Sequence, residues 1–284
     1  MSRSLSVRVA RLPVIGRLLL LPYRFARGWS IASRPLRQFF RALAVSREYT
    51  NYTYALEERN VRYLTAFIAA VAGCSRSLAE RYVDELEQDG ELRAHIRNGI
   101  RSSPDGRFAD WQVAYGRRAG WYAFVRMRRP RVVVETGVDK GLGACVLTAA
   151  LRRNAAEGCP GRYYGTDMNR AKGYLLSGEY AGFGELLIGD SVTTLRSFEQ
   201  EIDLFVNDSD HSADYERSEY EAIAAKLSPH ALVLTDNAEV TDELLQFADR
   251  TGRRFLYFRE EPKDHWFPGG GIGAAWSEGV TDDG

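Results

Sequence analysis

The sequence predicts an α/β fold in which helices cover both faces of a doubly wound, mostly parallel sheet, preceded by a helical extension. The first observation is Val132–Val134, a β-branched run without polar alternation, which is typical of a strand buried on both faces. The second is the glycine loop after it, where Gly137, Gly141 and Gly143 lead into an apolar helix. The third is the regular alternation of strand and helix patterns from Arg131 onward, which favours parallel pairing.

Seven short apolar runs are predicted as strands, at 132–135, 162–166, 185–188, 203–206, 231–235, 254–258 and 271–276. Apolar residues spaced three or four apart predict helices at 57–72, 78–88, 110–127, 144–154, 215–227 and 241–251. Gly73 is expected to end the first of these helices. Ser77 is expected to cap the second, with Glu80 completing a capping box.

Three segments are predicted along the chain: a basic amphipathic arm over 1–50, a helical cap or accessory region over 51–110, and a ligand-binding domain over 111–284. The loop at 102–106 contains Ser, Pro, Asp and Gly, which favour turns, and it indicates the second boundary.

The net charge of zero conceals an asymmetry between the arm and the rest of the chain. Residues 1–47 hold ten Arg and no Asp or Glu, so the remainder carries ten net negative charges. An acidic domain without a basic–aromatic stripe excludes nucleic acid as the expected partner. The three cysteines have no CxxC spacing, which fits a reducing cytoplasm, and a homo-oligomer is compatible with the sequence.

The arm has a short apolar centre between arginines, in the segment 12–26. We expect it to be a basic amphipathic arm that contacts an anionic membrane surface through residues 1–48, or that packs on the protein. A transit peptide and a partly disordered extension are the alternatives. No apolar run reaches the ~20 residues that span a bilayer.

The glycine loop predicts a nucleotide-type ligand. Glycines let the backbone approach a ligand closely, and the amides that begin a helix favour anionic groups. The spacing from Glu135 to Gly143 is not the dinucleotide fingerprint, which would need glycine at Asp139. A nicotinamide-dependent dehydrogenase is therefore the weaker hypothesis.

Each of the first five predicted strands ends in an acidic residue: Glu135, Asp167, Asp190, Asp208 and Asp236. The carboxyl ends of parallel strands meet at one edge of the sheet, where open α/β sheets bind their ligands. Five carboxylates at that edge repel one another unless hydroxyl groups or a cation compensate. The sequence therefore predicts the ligand site at this edge.

Two of these acids have a predicted role toward a nucleoside. Asp167, at the end of the second strand, can accept hydrogen bonds from both ribose hydroxyls. Asp190 and Ser191 are placed beside the base. The structural alternatives are an Asx-turn between Asp167 and Asn169 and a helix cap by Asp190 near Thr193.

The predicted metal site consists of Asp208, Asp236 and Asn237, which offer two carboxylates and an amide oxygen from neighbouring strand ends. Hard oxygen ligands with room for water suit Mg²⁺. His211, three residues after Asp208, is the predicted general base for a hydroxyl group that the metal polarises. The alternative for His211 is a solvated histidine at the start of a helix.

Residues 111–277 resemble class I S-adenosylmethionine-dependent methyltransferases, and among them the metal-dependent small-molecule O-methyltransferases of the macrolide-sugar, cephalosporin-pathway and catechol types. The motifs that carry the resemblance are Glu135-Thr-Gly137 with Gly141, Asp208-Ser-Asp-His211 and Asp236-Asn237. The resemblance implies a seven-stranded Rossmann-like sheet whose last strand is antiparallel.

The same resemblance implies that the methionine part of S-adenosylmethionine lies over Glu135, Gly137 and Gly141, with Asp167 on the ribose and Asp190 near the adenine. It implies Mg²⁺ at Asp208, Asp236 and Asn237 and His211 as the base. Catechol-type relatives share the Asp-Asn pair, but they usually use a lysine where this chain has His211, and the sugar-methylating relatives tend to have two acids in place of Asp-Asn.

The predicted function is O-methylation of a hydroxyl on a small molecule or glycoside, with a sugar or a polyketide- or lipid-linked sugar favoured. One alternative is a phenol- or catechol-type O-methyltransferase. The other is a non-catalytic, membrane-associated accessory protein that binds the cofactor and whose function depends on the arm.

Overall fold

The computed structural model describes residues 15–46, 48 and 53–277. Residues 1–14, 47, 49 and 50 of the predicted arm lie outside them. Two units are present, Met1–Ser46 with Asp264–Pro268, and Arg47–Lys263 with Gly269–Gly284.

The helices are α1 Ile15–Val45, α2 Glu58–Ala72, α3 Arg76–Glu87, α4 Gly90–Ser102, α5 Arg118–Arg128, α6 Leu142–Ala156, α7 Ser191–Ser197, α8 Ala213–Ile223 and α9 Glu243–Thr251. The strands are β1 Val132–Thr136, β2 Arg162–Asp167, β3 Gly184–Ile188, β4 Ile202–Asn207, β5 Leu227–Asp236, β6 Arg254–Arg259 and β7 Gly271–Trp276.

The second unit is built on one seven-stranded sheet in the order β3-β2-β1-β4-β5-β7-β6. Strands β1 to β5 are parallel, and β7 runs antiparallel to both β5 and β6. The predicted doubly wound fold with an antiparallel last strand is confirmed. Thr136 at the end of β1 pairs with Thr166 and Asn207, so the carboxyl ends of three central strands lie level. This register places the predicted site residues at one edge.

The central strands are buried because helices cover both faces of the sheet. All five residues of β1 are buried, as the unbroken valine run predicts. On one face, α7, α8 and α9 pack against the sheet through a cluster that includes Val134, Leu195, Phe205, Tyr220, Val233 and Phe247. Each such side chain contributes about 1.5–3 kcal/mol when it is fully removed from water.

Two predicted helix starts are wrong. Helix α3 is capped by Ser75, whose hydroxyl accepts from the Leu78 amide at 3.3 Å, whereas Ser77 lies in the first turn. The helix predicted to begin at residue 110 begins only at Arg118. Gly116 has a φ of +52°, which a right-handed helix cannot contain, so the apolar residues before it belong to a loop.

The first unit consists mainly of α1, 31 residues long, with Pro22 and Pro35 in its interior. Each proline lacks an N–H and removes one helical hydrogen bond. Among residues 15–46, 48 and 53–277, no helix combines the length and apolarity that crossing a membrane requires.

Candidate active site

A cavity of about 540 Å³ opens at the carboxyl edge of β1, β2, β3 and β4. Its lining contains five of the predicted site residues, Gly137, Asp167, Asp190, Ser191 and Asp208. Its other lining residues include Asp139, Thr166 and Tyr215. The fold therefore gathers into one cavity residues that lie as far apart as positions 137 and 215.

Gly137 lies where the ends of β1 and β4 touch through their backbones. Its φ is +78°, and a Cβ built on it would collide with the carbonyl oxygen of Asp208. Only glycine meets both demands, because it adopts positive φ without strain and has no side chain. The cavity floor at this point is bare backbone.

Gly137→Ala is expected to abolish S-adenosylhomocysteine binding, because the new methyl group pushes the ends of β1 and β4 apart. Gly158→Ala is the matched control, since Gly158 has a φ of +83° and nothing within 4 Å of a built Cβ. Both variants carry backbone strain of about 1–2 kcal/mol, so their melting temperatures report that strain. If titration calorimetry gave the two variants equal affinity for S-adenosylhomocysteine, the placement of Gly137 at the ligand site would be contradicted.

Asp167 and Asp190 face the cavity with carboxylates that are already oriented. Asp167 accepts from the Asn169 amide at 2.8 Å and from the Asp139 amide at 3.0 Å. Asp190 caps α7 by accepting from the Thr193 amide at 2.8 Å. The Asx-turn and the helix cap are therefore both present. A carboxylate has about four lone-pair sites, so these bonds leave acceptor capacity for a ligand.

Ser191 and Tyr215 complete this wall. The Tyr215 hydroxyl donates to Asp190 at 2.7 Å and lies 2.9 Å from the Ser191 hydroxyl. Hydrogen bonds from Thr193 and Tyr215 hold the pKa of Asp190 below its ordinary value, so the group stays ionised.

Glu135 and Gly141 are not among the residues that line the cavity. Glu135 is buried under the start of α6, accepts a hydrogen bond from the Tyr163 hydroxyl, and leaves no room for a side chain at Gly143. Burial raises its pKa to about 8, although the Tyr163 bond acts in the opposite direction. Gly141 precedes α6 with a φ of +92° and packs against the Gly173 backbone.

Glu135→Gln is expected to flatten the pH dependence of stability. A carboxyl whose pKa is raised in the folded state stabilises fully below its unfolded pKa near 4.5, and that stability is lost as pH rises through about 8. At ~1.4 kcal/mol per pKa unit, the loss is on the order of 3–5 kcal/mol. The melting temperature should therefore fall less between pH 5 and pH 8 in the variant than in the wild type. Glu185→Gln, which alters an exposed residue of β3, should show the same pH dependence of melting temperature as the wild type. If Glu135→Gln also showed the wild-type pH dependence, the effect would be refuted.

The ends of β4 and β5 bring Asp208, His211 and Asp236 together, with one donor atom of each within 4.8 Å of the others. Burial and the neighbouring Asp236 carboxylate raise the pKa of Asp208. Burial also acts to raise the pKa of Asp236, but Arg117 outweighs it, and the net shift is downward. Asn237, with a φ of +49°, turns its amide nitrogen to within 3.0 Å of His211 Nε2.

His211 is held at both ring nitrogens. Nδ1 lies 3.0 Å from a Glu216 carboxylate oxygen, and Nε2 lies 3.8 Å from an oxygen of Asp208. Burial acts to lower the pKa of His211, but Asp208 and Glu216 outweigh it and raise the pKa to about 10. When Nδ1 donates its proton to Glu216, the lone pair of Nε2 faces Asp208 and Asn237. The ring is therefore fixed at both nitrogens, and with a pKa of about 10 it is protonated near neutral pH unless another positive charge lies beside Asp208.

A buried network joins Asp236 to Arg117, Glu260 and Tyr54, and the role of Arg117 in it was not predicted from the sequence. The guanidinium of Arg117 donates to both carboxylate oxygens of Asp236 and, at 2.9 Å, to Glu260. The Tyr54 hydroxyl lies 3.0 Å from the second Glu260 oxygen. All of these side chains are buried. An arginine in an arginine-rich chain carries no local signal, so only the fold reveals this network.

Glu219 was also missed, and it ties the strand ends together. Its buried carboxylate accepts from Thr136 at 3.2 Å, from Ser209 at 2.8 Å, and from Asn207 and Ser191. Burial raises its pKa to about 7 against the effect of these donors. Glu219 thus links β1, β4 and α7 beneath the cavity.

The chain is similar to known proteins in sequence pattern and in fold. Residues 134–238 match a family model described as a methyltransferase domain. The O-methyltransferase TomG from Streptomyces achromogenes, involved in tomaymycin synthesis and solved with S-adenosylmethionine, is 16% identical with a TM-score of 0.50, over 68% of this chain and 92% of TomG. The S-adenosylhomocysteine-bound methyltransferase PaMTH1 from Podospora anserina is 17% identical with a TM-score of 0.47, over 70% of this chain and 95% of PaMTH1. Among the curated proteins, none matches the sequence.

Proposed function

We propose that this chain, a methyltransferase of the class I fold, methylates a hydroxyl oxygen of a small molecule or glycoside. The observation that carries the proposal is the position of Asp208, which both lines the cavity and belongs to the cluster with His211 and Asp236. Asp208 thus connects the cavity proposed for the methyl donor with the cluster proposed to activate the acceptor hydroxyl. S-adenosylmethionine, when bound, supplies a methyl group on a sulfonium sulfur.

The cavity suits that donor in size and polarity. Its volume lies within the roughly 300–1,000 Å³ range of small-ligand sites. In the proposed arrangement Asp167 receives the ribose hydroxyls, and Asp190 and Ser191 lie beside the adenine. The methionine part lies toward Glu135, Gly137 and Gly141. Gly137 supports this placement, because it lines the cavity without a side chain and its close contact with the Asp208 backbone excludes one.

His211 is the proposed general base. With its Nδ1–H directed at Glu216, the Nε2 lone pair can take the proton of an acceptor hydroxyl held near Asp208. General-base catalysis of this kind contributes about 10²–10⁴-fold. The pKa of about 10 is produced largely by Asp208 and Glu216. A cation bound at Asp208 would therefore lower the pKa of His211 and favour the unprotonated imidazole that a general base requires.

Asp208, Asp236 and Asn237 would hold Mg²⁺. The support is the closeness of the half-buried Asp208 carboxylate to the buried Asp236 carboxylate, because a dication removes their mutual repulsion. Each Asp236 oxygen keeps a lone pair beyond its bond to Arg117, so the donor set fits the ion. A bound dication would lower the pKa of the acceptor hydroxyl.

One observation favours a metal-independent form of the same reaction. Arg117 already places a permanent positive charge on Asp236, where the dication would lie. In that case the guanidinium keeps Asp236 ionised, and His211, with its pKa of about 10, stays protonated, so the reaction relies on the placement of donor and acceptor. Sensitivity to chelator separates the two forms, because only the first loses turnover in EDTA.

Calorimetric titration with S-adenosylhomocysteine, with and without Mg²⁺, followed by an acceptor panel with labelled S-adenosylmethionine, tests the function. We expect binding in both titrations, and methyl transfer to glycosides that EDTA abolishes. Transfer only to planar phenols would instead support a phenol- or catechol-type enzyme. Binding without transfer to any acceptor class would support the non-catalytic alternative and contradict the proposal.

A further inference from the structure

Helix α1 carries an exposed apolar stripe along one face. Successive residues of a helix are rotated by about 100°. Eight large apolar side chains of α1 consequently project into one sector about 100° wide. They are Leu18, Leu21, Phe25, Trp29, Leu36, Phe39, Phe40 and Leu43, between 41% and 65% exposed. We call this set the apolar stripe. An uncovered stripe of this size marks an interaction surface, because single exposed apolar residues are ordinary but contiguous ones are not.

The other side of α1 is basic. Arg17, Arg24, Arg27, Arg37 and Arg41 project away from the apolar stripe and are exposed. Ile15–Val45 contains no acidic residue. Among the described residues of this unit, one ion pair is present, between Arg41 and Asp264 at 2.9 Å. The other four arginines leave a net positive helix about 46 Å long at 1.5 Å per residue.

We propose that α1 binds in the plane of an anionic lipid bilayer, with the apolar stripe in the acyl boundary and the arginines among the headgroup phosphates. The charge of the helix selects this occupant. A second copy of α1 would bring arginines against arginines, whereas anionic headgroups complement them. Long arginine side chains can reach the headgroups from the flanks of an embedded helix. Phe25 and Trp29, stacked at 6.1 Å, are residue types that anchor such helices.

This inference concerns a unit other than the cavity and does not rest on the proposed methyl transfer. An experiment can therefore contradict the membrane-binding proposal without contradicting the methyl-transfer proposal, and the reverse.

Co-sedimentation of the full chain with vesicles tests it. We expect partitioning onto phosphatidylcholine vesicles that contain one-third phosphatidylglycerol to exceed that onto pure phosphatidylcholine by at least ~100-fold, since each arginine near the surface contributes about 1 kcal/mol. Arg24→Gln with Arg27→Gln should lose about 30-fold, while Arg24→Lys with Arg27→Lys retains binding. Equal partitioning onto both kinds of vesicle would overturn the proposal.

The apolar stripe is tested by a matched pair of double variants. Phe25→Gln with Phe40→Gln should weaken partitioning by about 100-fold, because each ring loses about 1.5 kcal/mol of burial. Tyr23→Gln with Ile31→Gln alters exposed residues on the arginine face and should bind like the wild type. Equal losses in the two pairs would contradict the orientation.

Fluorescence provides a measurement on the unaltered chain. Brominated anionic lipid should quench part of the tryptophan emission, and Trp29→Phe should remove that part while keeping the stripe apolar. Absence of quenching in the wild type would overturn the proposal. A stable lipid-free dimer that shields Trp29 from acrylamide would do the same.

Discussion

Arg117→Met is expected to destabilise the fold by about 3–5 kcal/mol and to abolish methyl transfer. Arg117 is buried between the carboxylates of Asp236 and Glu260. Removing a buried cation leaves its partners uncompensated in a medium that solvates charge poorly, and that loss is the main cost. Without Arg117, Asp236 takes up a proton and the acidic cluster loses its geometry. Chemical denaturation and a methyl-transfer assay measure the two effects.

Arg126→Met is the matched control, because it removes a buried arginine from α5, the helix that Arg117 immediately precedes. Arg126 pairs with Glu85 and Glu157, whose side chains are 26% and 42% exposed. These carboxylates remain solvated when Arg126 is lost, so a smaller loss of stability and nearly full activity are expected. Arg117→Lys should retain more stability than Arg117→Met but cannot reproduce the bidentate contact. If Arg126→Met impaired turnover as much as Arg117→Met, the specific role of Arg117 would be refuted.

His211→Gln is expected to reduce kcat by about 10²–10⁴-fold while leaving the affinity for S-adenosylhomocysteine unchanged. The reason is that the imidazole can accept a proton in turnover, whereas the amide of glutamine cannot. The side chain lies in the acidic cluster and is absent from the cavity lining, so cofactor contacts persist. Steady-state kinetics and calorimetry separate the two quantities.

His230→Gln provides the control, since His230 is exposed on β5 and lies outside the site. It should leave both kcat and affinity at wild-type values. Glu216→Gln should lower kcat less than His211→Gln, because it loosens the Nδ1 contact but keeps the base. Wild-type kcat in His211→Gln would exclude His211 as the base.

The alternation of strands and helices along the chain, and the sheet edge at which the cavity opens, were predictable because both depend on local patterns. The valine run before Gly137 predicts a strand with two buried faces, and the acidic residue after each strand marks the carboxyl edge. Parallel pairing then forces Asp167, Asp190 and Asp208 to meet there. The methyltransferase resemblance noted from these motifs is confirmed by the family match over 134–238.

The start of α5 was not predictable, because Trp111 and Tyr115 continue a helical spacing that the positive φ of Gly116 interrupts. The capping residue of α3 was ambiguous for a similar reason, since Ser75 and Ser77 both precede the apolar positions. Local patterns identify such elements better than their ends.

The sequence by itself determined the sheet, its carboxyl edge and the two-faced character of α1, because strand burial, turn chemistry and helical periodicity act over a few neighbouring residues. Only the tertiary structure decided which charges compensate which. It placed Arg117 on Asp236 and Glu219 beneath the strand ends, and it buried Glu135 away from the cavity lining. Electrostatic partners are chosen by distance and burial in space, and neither is encoded in the spacing of residues along the chain.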